Sequence, residues 1–324
     1  MISINSPYRP TLSVVMIGYH CKDLILDCLK SLEATAPQTP VEVILVDNAS
    51  TDGTVAALNA EMPAVRTIAL DKNVGFGPGC NIGVAAARGG YVLLLNPDTI
   101  VRPGSIDGLM ALAERLPDAG IYGGKTVTLD GAPVPGSCWR FPTLWSTFCV
   151  SLGLSRLFER SPLFNPEPYG GEPLQGVRDV DVVSGCLLMI RKDLWDKLGG
   201  FDPIYFMYSE EVDLCLRARQ LGARPVVSSD IEIVHLVGKT QPVRADRMVR
   251  LLKGKRTFML RHWSGLRERL GAALLLGWPL SRYAGLSVVR RLAPRERVVE
   301  AERTWGEVWR RRREWLPGWT IPPA

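Results

Sequence analysis

The chain has 324 residues, 46% hydrophobic and 22% charged, with a net charge of +6. That length suits one large or two medium domains, and that balance excludes a disordered or fibrous chain. The seven cysteines stand singly (Cys21, Cys28, Cys80, Cys138, Cys149, Cys186, Cys215), which excludes a zinc knuckle and argues for a reducing cytosol rather than a disulfide framework.

No basic stretch followed by a long apolar run opens the chain, so no signal peptide is expected. Residues 12–19, LSVVMIGY, form an apolar β-branched run that predicts a buried parallel strand. Residues 23–35 have helical spacing through Leu24, Cys28, Leu29 and Leu32. VEVILVDNAS (41–50) predicts a second strand, 50–61 a capped helix, and 64–70 a third strand. A Gly-rich turn and a small-residue helix at 79–88 precede a fourth strand, GYVLLLNPDT (90–99). Strand and helix alternate, so the expected class is an open α/β sheet. In such sheets ligands sit at the C-terminal ends of strands, where both Asp47 and Asp98 fall.

From about 126 to 180 the pattern breaks into a Pro- and Gly-rich excursion with Trp139, Phe141, Trp145 and Phe148, a candidate wall for a cleft. Residues 181–202 read as strand, helix and Gly stop, 209–221 as a helix closed by Gly222, and 223–236 as a further strand. After about 245 the chain turns helical, basic and Trp-rich. Residues 261–324 hold 13 Arg against 6 Glu, a net of +7, so the preceding 260 residues sum to −1. Six of the nine tryptophans also lie there, which assigns the basic character to an appendage.

Several residues suit turns as well as chemistry. Around Asp47, the caps Asn48, Ser50, Thr51 and Asp52 explain a turn, but Asp47 itself follows an apolar strand and is expected to face a ligand. NVGFGPGCNIG (73–83) is not a dinucleotide fingerprint: a third glycine would have to stand at Ile82, and the loop follows the third strand rather than the first. It remains a loop where backbone approaches a ligand, with Asn73 and Asn81 as amide donors. Asp98, beside a second strand-end carboxylate, becomes a candidate ligand for a hard divalent ion. His235, alone after a strand, reads on its own as structural.

YSEEVDL (208–214) crowds three carboxylates at a helix start. Wound at about 100° per residue, Glu210, Asp213, Arg217 and Gln220 share one polar side, where solvent, capping and an i,i+4 ion pair account for them. Glu211 falls among Leu214, Cys215 and Ala218. A carboxylate aimed inward needs a task, and deprotonating a hydroxyl is one.

VVMIGYH, VEVILVDNASTDGT, NVGFGPGCNIG, LLLNPDT, SGCLLMIRKDLWDKLGGFD and EEVDLCLRARQLG, in this order over roughly residues 10–241, resemble the inverting glycosyltransferases of family 2, and the N-P-D and H-x-x-G-K-T details resemble their bacterial rhamnosyltransferase branch. The resemblance implies a GT-A fold: a mixed, mostly parallel sheet flanked by helices, here with a C-terminal helical, basic extension. It implies a nucleotide-sugar-binding half at 1–125, an acceptor-binding and catalytic half at 126–245, and a membrane-facing or oligomerisation region at 246–324. It implies donor contacts at Tyr19, Asp47 (to the pyrimidine ring), Asn73, Gly75, Asn81 and Asn96. Mg2+ or Mn2+ would be held by Asp98 and His235, which overrides the structural reading of that histidine. Glu211 would be the base. Trp139, Gly185, Asp202 and Glu210 would lie on the acceptor side. Asn96 stands where the family's D-x-D has its first Asp, and Glu-Glu where it has E-D, so Glu210 stays open as an alternative base.

The implied partners are a nucleotide-sugar donor, dTDP-rhamnose or a UDP-sugar, and a lipid-linked glycan acceptor. No nucleic-acid motif is present, and a nucleic-acid-binding scaffold is the rival class. The apolar run 270–289 is broken by Pro279 and Arg282 and is barely long enough to span a bilayer. Its Trp and Arg predict an interfacial position on an anionic membrane, at the inner face of the plasma membrane, with a helical subdomain or homo-oligomer surface as the alternative.

Overall fold

The computed structural model describes residues 10–134, 136–236, 244–293 and 295–320. Eleven strands are present among them: β1 (Leu12–Gly18), β2 (Val41–Asp47), β3 (Arg66–Ala69), β4 (Tyr91–Leu95), β5 (Thr99–Val101), β6 (Ile121–Val127), β7 (Cys138–Trp139), β8 (Val177–Asp179), β9 (Val182–Val183), β10 (Leu187–Arg191) and β11 (Val226–His235). Nine form one sheet in the order β3-β2-β1-β4-β10-β6-β11-β5, with β8 also on β11, while β7 and β9 make a separate ribbon. β1 to β4 pair in parallel, as do β6 and β11. β10 enters antiparallel between β4 and β6. The sheet is therefore mixed and helix-flanked, as expected.

β1 and β2 are buried at every position, which is why they read as continuous apolar runs. Apart from Asp47 at the end of β2, the exceptions are Ser13 and Glu42, and they satisfy each other. Ser13 Oγ donates to Glu42 at 2.6 Å, and Glu42 also accepts from the Arg88 backbone N–H and Nε at 2.7 and 2.9 Å. Helix Phe76–Ala85 begins three residues before the expected start, inside the Gly-rich run. Glycine is a poor helix former, but a Cβ at Gly83 would meet Val15 Cγ1 at 2.5 Å, so the small residue lets the helix lie close against β1.

The chain divides into two compact units. The first comprises residues 1–139, 173–203 and 211–240 and holds all eleven strands. The second comprises 140–172, 204–210 and 241–324. A boundary at 125/126 would cut β6, whose pairing with β11 continues to Val127. The 140–172 excursion joins the C-terminal helices: Glu167 accepts from Ser146 Oγ at 2.8 Å and Lys255 Nζ at 3.1 Å.

The second unit has its own core, which includes Val249, Leu252, Met259, Trp263, Leu275, Val308 and Trp315. A Cβ at Gly271 would stand 2.4 Å from the Trp263 ring, so helix Gly265–Leu292 lies hard against that indole. Trp263 and Trp315 are thus core residues of this unit. Trp315 Nε1 is satisfied inside by the Val308 carbonyl at 3.2 Å.

Candidate active site

The ends of β1 and β2 lie side by side, with Gly18 opposite Asp47. Asp47 is buried; its Oδ2 accepts the Ser50 backbone N–H at 2.9 Å, while Oδ1 has no hydrogen-bond partner among the described residues. A buried carboxylate oxygen left in that state is costly unless a ligand completes it. Around it the chain turns sharply: His20 and Ala49 both have left-handed φ, 50° and 64°. Tyr19 is 48% exposed at the same strand end.

Asn48, which the sequence reading treated only as a turn former, ties two pieces of the site together. Its Oδ1 accepts the Val74 N–H at 3.2 Å and its Nδ2 donates to the Gly75 carbonyl at 3.0 Å. Its near-complete burial is visible only in the fold. Asn73 Oδ1 accepts the Gly75 N–H at 2.9 Å, and Gly75 has φ 95°, so this loop needs its glycine. A Cβ on Gly185, from the other half of the sheet, would stand 3.7 Å from the Phe76 ring. Asn81, expected as an amide donor to a ligand, is held by its neighbours. Both ends of its amide are spent on the Phe201 backbone, at 2.8 and 2.9 Å, which ties helix Phe76–Ala85 to the segment before Asp202.

Asp98 and His235 meet through sheet register. His235 ends β11 opposite Thr99 of β5, and the Leu236 N–H donates to the Asp98 carbonyl at 2.8 Å. Asp98 Oδ1 and His235 Nε2 are 3.3 Å apart. Asn96, half-buried, has its N–H on the Cys186 carbonyl at 3.1 Å, and its own carbonyl accepts from Thr99 Oγ1 at 2.7 Å. Of the H-x-x-G-K-T stretch, residues 237–240 lie outside the described residues.

Among the described residues no group of three or more His, Cys, Asp or Glu is gathered to hold a metal. The Asp98–His235 pair nonetheless fits Mg2+ or Mn2+ as a partial ligand set, because such ions take one or two protein ligands and fill the rest of an octahedron with phosphate oxygens and water.

Helix Glu210–Gln220 corrects the sequence reading of YSEEVDL. Glu210 and Asp213, assigned to a solvent side, are 5% and 1% exposed, whereas Glu211 is only half-buried. The expected i,i+4 pair is present: Arg217 meets Asp213 at 2.7 Å. Arg217 also donates to the carbonyls of Leu198 and Gly200, at 2.7 and 2.9 Å. The polar side of this helix therefore packs onto backbone carbonyls, so polarity there did not mean exposure.

Two buried thiols lie in the field of several of these carboxylates. Burial pushes Cys186 up to about 12, and the charges of Asp98 and Glu211 both push it further in that direction. Cys21 rises to about 11 through burial and the charges of Asp52, Asp98 and Asp47. Burial pushes the Tyr208 hydroxyl up, and the Arg247 guanidinium works against that shift. Trp139 is in β7, half-buried, with Val182 of β9 opposite it.

Comparison with known proteins shows the family. The sequence profile of "Glycosyl transferase family 2" matches residues 13–197. An N-acetylglucosaminyl-diphospho-decaprenol L-rhamnosyltransferase of Mycobacterium tuberculosis is 34% identical over 236 residues, covering 69% of this chain and 75% of that one. The rhamnosyltransferase WbbL of Escherichia coli K12 is 31% identical over 161 residues, 46% of this chain and 56% of that one. Among solved structures, the mannosyltransferase PcManGT from Pyrobaculum calidifontis, in complex with GDP-Man and Mn2+, superposes with a TM-score of 0.58 at 15% identity, covering 95% of this chain and 88% of that one; this likeness concerns the fold.

Proposed function

This chain belongs to glycosyl transferase family 2 and is a glycosyltransferase, and from that premise we propose that it moves L-rhamnose from dTDP-rhamnose to a hydroxyl of a polyprenyl-diphosphate-linked sugar, with inversion. The observations that support the reading are the buried Asp47 Oδ1, without a partner among the described residues at the end of its strand, and the Asp98–His235 pair, 3.3 Å apart. The donor sugar and the acceptor follow the rhamnosyltransferase relatives. A UDP-hexose donor is the second reading.

Asp47 Oδ1, buried and without a partner, is an acceptor for the ring N–H of the donor's pyrimidine. The Gly75 loop brings backbone close to the donor, and Asn73 and Asn48 hold its shape. Asp98 and His235 would hold Mg2+ or Mn2+, which when bound stabilises negative charge on the diphosphate leaving group. Glu211 accepts the proton of the acceptor hydroxyl; that oxygen bonds to the anomeric carbon while the bond from that carbon to the diphosphate oxygen breaks. The electron pair leaves with the nucleoside diphosphate.

Helix Gly265–Leu292, the one described helix long and apolar enough to cross a membrane, reads better as lying on one. Its Arg282 is spent on the Val150 carbonyl at 2.9 Å, and Ser281 on that of Ser151 at 2.6 Å, so its middle packs on protein. Contact with the inner face of the plasma membrane would bring a cytoplasmic enzyme to a lipid-linked acceptor. A screen of dTDP- and UDP-sugars with a prenyl-diphosphate-linked N-acetylglucosamine, measuring nucleotide release with and without Mn2+, tests the reading. Release from dTDP-rhamnose alone supports it; release from a UDP-sugar alone replaces the donor; none from any donor removes it.

A further inference from the structure

Tyr208 and Ser209 are consecutive non-glycine residues in left-handed conformation, φ 69° and 73°, immediately before Glu210 and Glu211. Side-chain-bearing residues keep that conformation only where the surroundings enforce it. Other parts of the second unit, to which residues 204–210 belong, supply the enforcement. On helix Arg244–His262, a Cβ at Gly254 would stand 2.3 Å from the Tyr208 carbonyl oxygen, so the glycine is what lets this backbone approach. From the far end of the chain, Trp319 Nε1 donates to the Met207 carbonyl at 3.1 Å. Its ring centre is 5.3 Å from that of Phe206 and lies 4.6 Å from Lys253 Nζ. Its own N–H donates to Thr257 Oγ1 at 2.7 Å, so the same helix grips the indole from behind.

We propose that Trp319 and Gly254 are positioning residues for the reaction: they clamp the left-handed turn 208–209 and so fix where the following helix delivers its two carboxylates. The proposal rests on the reading of Glu211 as base. A residue that only anchored the chain's end would need its contacts with Lys253 and Thr257; the indole N–H on Met207 serves the turn instead.

The test uses the full chain carrying Trp319→Phe, which keeps an aromatic ring but removes the N–H donor with the five-membered ring, Trp319→Ala, and Gly254→Ala. Turnover, donor affinity by calorimetry, melting temperature and hydrogen exchange of the 204–211 peptide are measured together. Trp319→Phe is expected to lower kcat about tenfold, and Gly254→Ala by at least that, since small displacements of a base are costly. Donor affinity and melting temperature should stay near wild type, and exchange in 204–211 alone should quicken. Unchanged kcat or unchanged local exchange in Trp319→Phe overturns the proposal. So does donor affinity falling in step with kcat, which would mean general damage. Should Gly254→Ala fail to fold, Trp319→Phe decides alone. If Glu211→Gln retains full turnover the base assignment falls, but faster exchange with lower kcat in Trp319→Phe still upholds the clamp.

Discussion

Glu210 and Glu211 are adjacent in sequence, yet Glu210 is buried and Glu211 half-buried. Glu211→Gln keeps shape and removes the proton acceptor, so turnover should fall by roughly 10²–10⁴ with donor affinity unchanged; steady-state rates beside calorimetry check this. Glu210→Gln should cost far less turnover, and a dead Glu210→Gln beside an active Glu211→Gln would exchange their roles. Asp98→Ala should abolish metal-dependent donor binding while the fold persists. Equal nucleotide-sugar affinity in that variant with Mn2+ would show that the metal lies elsewhere. Asp47 and Asp98 were legible because each is a carboxylate at the end of an apolar strand. The surroundings of Glu210 were not: helical phasing sorts polar from apolar faces, but it cannot tell solvent from a layer of backbone carbonyls such as those Arg217 meets.

β1 and β2 were readable from their apolar runs, and their one polar pair marks a limit of that reading. Burial pushes the pKa of Glu42 up, but hydrogen bonds from Ser13 and from the Arg88 backbone and guanidinium more than offset it, leaving the carboxylate below its usual value. A depressed folded-state pKa gives stability that is fully present above the unfolded-state value and is lost as pH falls through the folded one. Glu42→Gln should therefore destabilise the chain at pH 7 by about 1–3 kcal/mol. The gap from wild type should narrow on acidification below the usual glutamate range. Urea unfolding across that range measures it, and a pH-independent gap would mean that shape rather than charge is what Glu42 supplies. The early start of helix Phe76–Ala85 was hidden for a related reason: its glycines are chosen for proximity to β1, against their own helix propensity.

At the scale of the molecule, the basic balance of the tail was plain in the sequence, but its tryptophans do not decide, because an indole suits a core as well as an interface. The exposed apolar side chains are a better guide. Of sixteen large ones exposed among the described residues, twelve lie in the second unit, including Leu266, Leu270, Leu280, Val288 and Leu292 of helix Gly265–Leu292. If this face meets an anionic bilayer, the double variant Arg290→Glu and Arg291→Glu should weaken co-sedimentation with anionic vesicles by at least about 1 kcal/mol per residue, roughly fivefold each. Neutral vesicles should show little change, and equal sedimentation of both forms with anionic vesicles would exclude that contact. The cysteines bear on how such a face can be studied. Cys21, Cys28, Cys138, Cys186 and Cys215 are all pushed up to about 11 or 12, chiefly by burial. Only the thiolate reacts, and at neutral pH it is on the order of one part in 10⁴ to 10⁵ of such a thiol. For these five positions the native chain supplies its own near-silent background, against which a single cysteine introduced on an exposed helix face would report its local solvent by its rate of alkylation.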